Sequence, residues 1–463
     1  GRCRFGVFFT MTEAGGAEFA GEDEEVTSTL NPEAAEFKPG VTFGGSRPSQ
    51  SSPTSSGEQA DTGPSLVFGG GGNFLSKYSS IDVPTPKVQA TLRRRSAEGP
   101  GTGSAPAPVP DRVNVQLNQQ IVNAGMPERI LQIVDENFDQ LNVVNLITAL
   151  HRLAAISLAS KKAGLRRDPR FKRLVNRLSE TIRKTDPQFL KPQDLSNVAW
   201  GLTKLGIQNT LLFSLLSDRI LVRIDSFQPV NLSMTLWAFA RSGLYDERLL
   251  RAAAQEVKSQ MKYFEPQQIA NTTWAMAKCG FVDEELFERA AEQAILQLKK
   301  FQPMNFSMLL YSFALAQQCH ERLFEEVAKR CTVDVLKHSL SAPHVVSNLA
   351  LAYSEAQIHI DSVYQTVAEV AIDVFEDFRA KQVVTLAESY AKAEVRHDAL
   401  FKCISRNVAN NIEEFQKQEL QDLLAAFEIL GVSTSELEKA MNSQENGHSN
   451  RNYTMLFLLA VIM

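Results

Sequence analysis

Apolar and polar positions along this chain of 463 residues repeat with a period of 37 residues. A proline opens each clear unit, an aromatic ring follows eight residues later, and a glycine follows fourteen residues later. A phenylalanine stands two residues before the next proline. The members of these four columns are Pro192, Pro229, Pro266 and Pro303; Trp200, Trp237, Trp274 and Tyr311; Gly206, Gly243 and Gly280; and Phe227, Phe264 and Phe301. A fixed period of this length is typical of stacked supersecondary units.

Each unit is predicted to contain two helices joined by a short turn. Proline suits the first position of a helix because its φ is preset and its missing N–H has no partner there. Glycine suits the left-handed residue that ends a helix. The first helix is therefore predicted over 192–205 and its equivalents. The second helix begins near residues such as Asp246 and Asp283, whose carboxylates can cap it.

The repeat continues on both sides of the clear units, with weaker columns. Pro343 opens a unit after an insertion of three residues, and further units begin at Ala380 and Lys417. Upstream, the six residues from Phe138 resemble the six residues from Phe227, which aligns these two phenylalanines and predicts a degenerate unit. Because a single helix pair cannot bury its apolar face, such units are expected only in arrays.

These patterns divide the chain into three parts. Residues 111–442 are predicted to form an all-α, right-handed α-solenoid of about eight 37-residue helix–turn–helix repeats, clearest over 192–340. Residues 1–110 are rich in Gly, Ser and Pro, and we expect a disordered tail because this composition buries too little apolar surface. Residues 443–463 form a polar linker and a short apolar tail, which is too short to span a bilayer.

Charge changes this picture only locally. The whole chain has a formal net charge of −5, and the predicted array is close to neutral. From Arg152 to Lys184, however, the sequence has eleven basic residues and only two acidic ones, Asp168 and Glu180. This basic cluster favours a localised contact with a polyanion such as the phosphates of a nucleic acid. A solvated helix face with a basic bias is the alternative.

The sequence contains no motif that carries catalytic chemistry or binds a metal. It lacks a nucleophile elbow, a Walker glycine loop, an HExxH motif and a zinc-deaminase pattern. Its five cysteines show no metal-ligand spacing, and its histidines are scattered. We therefore expect a protein that is not an enzyme, with no cofactor, no metal and no small-molecule substrate. A binding surface is the remaining source of function.

The first helix of each unit carries stripes of different character. The ring at Trp200 stands between small residues and is predicted to pack between repeats, with stacking of RNA bases as the alternative. Another stripe combines Asn197, Gly201 and Lys204. Its last position is basic in several units and would contact a nucleic-acid backbone. A favourable interaction of cations with the helix dipole is the alternative, and Leu315, Glu355 and Ile429 interrupt the column. The predicted backbone contacts are Arg152, Lys204, Arg241, Lys278 and Lys392 in the basic column, and Lys161, Lys162, Arg166, Arg167, Arg170, Lys172 and Arg173 in the basic cluster.

At these residues the chain resembles a known family. The segment 266–280, Pro-Gln-Gln-Ile-Ala-Asn-Thr-Thr-Trp-Ala-Met-Ala-Lys-Cys-Gly, is similar to the octotricopeptide and heptatricopeptide repeats of organelle RNA-binding proteins, and the period matches the heptatricopeptide form. Relatives of that family include FAST-kinase-like and RAP-domain proteins and repeat subunits of the kinetoplastid RNA-editing substrate-binding complex. The resemblance implies a solenoid whose first helices face single-stranded RNA. It points to Asn197, Met234, Asn271, Met308 and Asn348 as base-facing residues.

The resemblance implies a non-catalytic, organellar RNA-binding protein that acts in mitochondrial or plastid RNA processing, editing, stability or translation. Its partners would be organellar RNA and other subunits of an RNA-processing or ribosomal complex, and DNA is not expected. The alternative is a protein-binding scaffold subunit of a mitochondrial ribosome or RNA-processing assembly, which the near-neutral array favours. An import signal is not evident, because the residues after Met11 are rich in acid.

Overall fold

The computed structural model describes residues 112–442, apart from residues 338, 340 and 341. The predictions of a disordered tail over 1–110 and of an apolar end in 443–463 lie outside the described residues. No helix in the described part is long and apolar enough to cross a membrane. All regular structure in this part is helical.

The described residues form successive helix pairs, as the 37-residue period predicts. The first helices of the pairs are α1 (Arg112–Asn123), α3 (Val143–Ile156), α6 (Pro192–Lys204), α8 (Pro229–Ser242), α10 (Pro266–Lys278), α12 (Pro303–Leu315), α15 (Ala342–Glu355), α17 (Ala380–Lys392) and α19 (Lys417–Ile429). The second helices are α2 (Pro127–Glu136), α5 (Pro169–Lys184), α7 (Thr210–Leu221), α9 (Glu247–Gln260), α11 (Glu284–Leu296), α13 (Glu321–Ala328), α16 (Asp361–Asp373), α18 (Asp398–Asn410) and α20 (435–442). Two short helices are additional: α4 (Ala159–Arg167) and α14 (Val333–Lys337).

The helices form two layers with the core between them. Successive first helices pack against one another, and most second helices pack against the first helix of their own unit. A ring from a second helix meets a ring from the next first helix edge-on, as in Phe213 against Phe239 and Phe287 against Phe313, both with centroids 5.1 Å apart. Because the same contact recurs two units later, the predicted α-solenoid is confirmed.

Short 3-10 turns connect most second helices to the next first helix, and a buried phenylalanine follows most of these turns. Phe227, Phe264 and Phe301 are at most 2% exposed. The proline after them begins the first helix, and a side chain two residues further on accepts a hydrogen bond from the N–H before the proline. The oxygen of Asp194 lies 3.1 Å from the nitrogen of Lys191, and that of Gln268 lies 3.1 Å from the nitrogen of Glu265. Where such a contact occurs, it fixes the start of the first helix.

The glycine column ends the first helices in the left-handed conformation, as predicted. Gly206, Gly243, Gly280 and Gly431 have φ between 61° and 69°. At the equivalent positions Gln317, Gln357 and Glu394 adopt φ of 53–55° despite their side chains. At all of these positions except Gly243, the next N–H donates to a carbonyl oxygen of the last helical turn, as where the nitrogen of Gln318 lies 2.9 Å from the carbonyl oxygen of Phe313.

Replacing Gln317 by glycine is expected to raise the free energy of unfolding by about 0.5–1 kcal/mol. A left-handed residue with a side chain costs roughly 1–2 kcal/mol, and the greater freedom of glycine in the unfolded chain returns part of this gain. Gly243→Ala is the reciprocal variant. An added Cβ at Gly243 would meet no atom within 4 Å, so a loss of stability there can arise only from φ. Urea denaturation measures both, and a loss of stability in Gln317→Gly would contradict the interpretation.

The upstream unit begins three residues later than the sequence predicts. Helix α3 starts at Val143, because Asn142 and Asn145 cap each other through reciprocal backbone hydrogen bonds of 3.0 and 3.3 Å. Leu141 therefore occupies the place of the buried phenylalanine, and Phe138 instead begins the 3-10 turn Phe138–Gln140. The predicted alignment of Phe138 with Phe227 is wrong, since the asparagine cap and not the aromatic residue sets the start of the helix.

Candidate nucleic-acid interface

One face of the first-helix layer points away from the second helices. In α10 this face carries Gln267, Asn271, Trp274 and Lys278, spaced three or four residues apart so that they share one side of the helix. Residues such as Ile269, on the other side, are completely buried in the core. Along the array this face combines the aromatic column, the predicted base-facing column and the basic column.

Four of the five predicted base-facing side chains are buried. Met234 and Asn271 are completely buried, and Met308 and Asn348 are 5% and 7% exposed. Close packing of neighbouring first helices covers these four side chains, so their contact with bases stays a prediction that this packing does not favour. Asn197 is half-buried, and its amide oxygen accepts a hydrogen bond of 2.9 Å from Gln193. The column therefore belongs mainly to the interior of the layer.

The aromatic column packs between repeats, as predicted. Trp200, Trp237, Trp274 and Tyr311 are 4–8% exposed, so their faces are not open to RNA bases in this structure. In α3 the same position is taken by His151, whose ring lies against Trp200 with centroids 4.9 Å apart. Burial and the charge of Arg152 lower the pKa of His151 to about 4, so this histidine is neutral at physiological pH.

The basic column is only partly available for a ligand. Arg241 and Lys278 are exposed in the last turn of their helices, and neither forms an ion pair with another residue in the described part. Lys204 is half-buried. The ammonium of Lys392 lies 2.5 Å from Glu355, which occupies the same position one unit earlier. This pair shows that successive residues of the column approach each other closely.

Arg152 does not belong to the basic column, contrary to the prediction. The later start of α3 moves it three positions away from the place of Lys204. Its guanidinium donates to the carbonyl oxygen of Ala124 at 3.3 Å, and its side chain is half-buried. Arg152 therefore ties α3 to the end of α1.

Three arginines of the basic cluster form contacts within the chain. Arg170 contacts Glu128 at 2.7 Å and Asp168 at 2.6 Å, and its hydrogen bond to Asp168 lowers the pKa of that carboxyl group. Arg173 contacts Asp135 at 2.8 Å and lies 4.4 Å above the centre of the Phe138 ring. Arg166 donates to the carbonyl oxygen of Leu205 at 3.0 Å. The predicted RNA contacts at Arg166, Arg170 and Arg173 are thus engaged within the chain.

The rest of the basic cluster remains on the surface. Lys161, Arg167 and Lys172 are exposed on α4 and α5, and no ion pair engages them within the described residues. Lys162 is half-buried beside them. The predicted cations that a polyanion can reach are therefore Lys161, Arg167, Lys172, Arg241 and Lys278. Within the described part, no group of three or more His, Cys, Asp or Glu residues could hold a metal ion.

A further set of exposed residues was not predicted from the sequence. It lies on the 3-10 turns that precede the buried phenylalanines, at Lys262, Tyr263, Lys299 and Lys300. The sequence could have indicated their exposure, because they stand one or two residues before Phe264 and Phe301, and a turn residue beside a buried anchor projects outward. These positions lie outside the first helices, so the columns of the first helix do not include them.

The model of the RNA-editing substrate-binding complex 6 protein family matches two segments of this chain, residues 114–350 and 337–454. No curated protein gives a significant match. The two matched segments together span nearly all of the described helices, far more than half of the chain. The predicted relation to RNA-editing repeat proteins is thereby confirmed, whereas the octotricopeptide repeat type stays a prediction. The chain belongs to the RNA-editing substrate-binding complex 6 protein family.

Proposed function

We propose that this chain is a non-catalytic, RNA-binding subunit of a mitochondrial RNA-editing complex. The observation that carries the proposal is the family match over the whole helical array. The array supplies extended surface and exposed cations, which suits a component that holds RNA. The mitochondrion is the compartment that the resemblance implies, and the family match gives no support to the plastid alternative.

The exposed cations favour contact with the RNA backbone over the reading of bases. Arg241 and Lys278 stand in neighbouring units, and Lys161, Arg167 and Lys172 form a second group on α4 and α5. Phosphate contacts position a nucleic acid without carrying sequence information. Because the predicted base-facing column is largely buried, we propose RNA binding with little sequence preference.

The proposal predicts a salt-dependent affinity of the full chain for an unstructured RNA oligonucleotide. Fluorescence anisotropy over a salt series would measure it. In the double variant Arg241→Gln with Lys278→Gln, we expect the slope of log affinity against log salt to fall by about 1.4, since each lost phosphate contact of a single strand removes roughly 0.7. The variant Lys161→Gln, Arg167→Gln, Lys172→Gln tests the second group in the same way.

A matched control replaces exposed cations of the second helices, Arg322→Gln with Lys402→Gln. We expect this pair to leave the slope unchanged, because it lies outside both groups. Absence of binding at low salt, or an affinity that salt does not change, would refute the RNA-binding proposal.

A second candidate function is a protein-binding scaffold within the same kind of complex. It is favoured by the acidic turns of the later units, which carry Glu376 and Asp377, then Glu413 and Glu414. Such an edge repels phosphates. Ile429 also remains 66% exposed at the basic-column position of α19. If the full chain fails to bind RNA at low salt, the scaffold function is the one that remains.

A further inference from the structure

We propose that the 3-10 turns on one edge of the array form a stacking platform for single-stranded RNA, centred on Tyr263. This inference rests on the proposed RNA-binding function and adds a surface that neither the basic column nor the basic cluster contains. The turn edge consists of the 3-10 turns Pro187–Phe189, Ile224–Ser226, Met261–Tyr263, Leu298–Lys300, Phe375–Asp377 and Ile412–Glu414.

The buried anchors around each turn determine which of its residues project. Met261 is 5% exposed at the start of its turn, and Phe264 is 1% exposed directly after it. Leu298 and Phe301 bracket the next turn in the same way, at 7% and 2%. The second and third residues of the turn therefore point outward. In chain order these pairs are Gln188-Phe189, Asp225-Ser226, Lys262-Tyr263, Lys299-Lys300, Glu376-Asp377 and Glu413-Glu414.

Tyr263 has the properties of a base-stacking residue. Its side chain is 63% exposed, although a tyrosine that served only packing would be covered. The ammonium of Lys262 lies 4.9 Å from the centre of its ring, so a cation stands beside the aromatic face. Exposed aromatic rings beside cations bind single-stranded nucleic acids, because every base has a π-face and every nucleotide has a phosphate. Phe189, 53% exposed, repeats this feature two units earlier.

The next turn supplies cations for the backbone of the same strand. Lys299 and Lys300 are exposed, and no ion pair engages them in the part of the chain that is described. Packed helices lie about 8–10 Å apart, so these lysines stand roughly one such step from Tyr263. A strand that stacks one base on Tyr263 can therefore place a following phosphate beside them.

The charge of the turn edge also restricts the platform to the middle of the array. Beyond Lys299 and Lys300, the turns at Glu376-Asp377 and Glu413-Glu414 are acidic. Like charges disfavour a phosphate backbone there. The geometry therefore points to an RNA footprint on the turn edge that includes Tyr263, Lys299 and Lys300 and excludes the later turns.

The test measures binding of the full chain to a 20-nucleotide unstructured RNA that carries 2-aminopurine. In Tyr263→Ala we expect the affinity to fall roughly tenfold, because stacking on an aromatic ring contributes on the order of 1–3 kcal/mol per base, and the salt slope to stay unchanged. Stacking quenches the 2-aminopurine fluorescence, and this quenching should decrease in the variant. Tyr263→Phe keeps the ring and should retain both signals. Lys299→Gln with Lys300→Gln should instead lower the salt slope by about 1.4.

Tyr245→Ala is the matched control. Tyr245 is 56% exposed but lies between α8 and α9, on the turn that follows the first helix. We expect it to change neither affinity nor quenching. If wild type binds RNA and Tyr263→Ala binds equally well, or if Tyr245→Ala weakens binding as much, the stacking platform is refuted while the RNA-binding function stands. If wild type does not bind RNA at low salt, both proposals fail.

Discussion

Replacing His151 by phenylalanine is expected to remove a large part of the acid sensitivity of the array. Burial, and secondly the charge of Arg152, lowers the pKa of His151 from 6.5 to about 4 in the folded chain. Between these two values the unfolded chain binds a proton at this residue and the folded chain does not. The free energy of unfolding therefore decreases as the pH falls from 6.5 towards 4. The loss is on the order of 2–3 kcal/mol, since each pKa unit corresponds to about 1.4 kcal/mol.

Phenylalanine suits this position because the next four first helices, α6, α8, α10 and α12, carry aromatic rings there. The contact between the rings of His151 and Trp200, with centroids 4.9 Å apart, can be retained. The Nε2 atom of His151 is buried without a hydrogen-bond partner, so its removal leaves no donor or acceptor unpaired. The variant should therefore be about as stable as wild type at pH 7.5 and clearly more stable at pH 4.5.

Urea denaturation at both pH values measures the effect, and carboxylates that titrate in the same range contribute equally to wild type and variant. An identical pH dependence in wild type and His151→Phe would show that His151 is protonated in the folded chain at moderate pH.

The architecture was predictable because its signals are local. Proline at the start of a helix, glycine at its end and a phenylalanine before the next proline each act within a few residues, and repetition made each column visible. The start of α3 was not predictable in this way, because Asn142 and Asn145 replace the proline as the start signal there. Helix α4 was not predictable either, since its sequence lacks the columns of the repeat.

The surface was harder to predict because exposure depends on neighbouring units. Spacing correctly placed Met234 and Asn271 on one stripe, but only the packing of adjacent first helices decides that this stripe is covered. The pairs of Arg170 with Glu128 and of Arg173 with Asp135 join residues that lie 42 and 38 positions apart. A count of charges cannot show which cations already form ion pairs within the chain. The predicted basic cluster was therefore larger than the set of cations that RNA can reach.

Replacing Asn271 by leucine is expected to stabilise the array by about 1–3 kcal/mol, the usual cost of a buried polar group without partners. Asn271 is completely buried, and neither its amide nitrogen nor its amide oxygen has a hydrogen-bond partner in the structure. Leucine has the same branching at Cγ and removes both unpaired atoms. The column accepts apolar side chains, since Met234 and Met308 occupy the equivalent positions of α8 and α12.

Asn231→Leu is the matched control, because Asn231 is also buried but is fully engaged. Its amide nitrogen donates to the hydroxyl oxygen of Ser196 at 3.3 Å and to Gln193 at 3.2 Å, and its oxygen accepts from the backbone of Gln228. Leucine there should lower the free energy of unfolding by about 1–3 kcal/mol, since it leaves partners unpaired. The RNA affinity of Asn271→Leu should equal that of wild type. A less stable variant would show that the amide of Asn271 is hydrogen-bonded in solution, and weaker RNA binding would show that Asn271 contacts RNA.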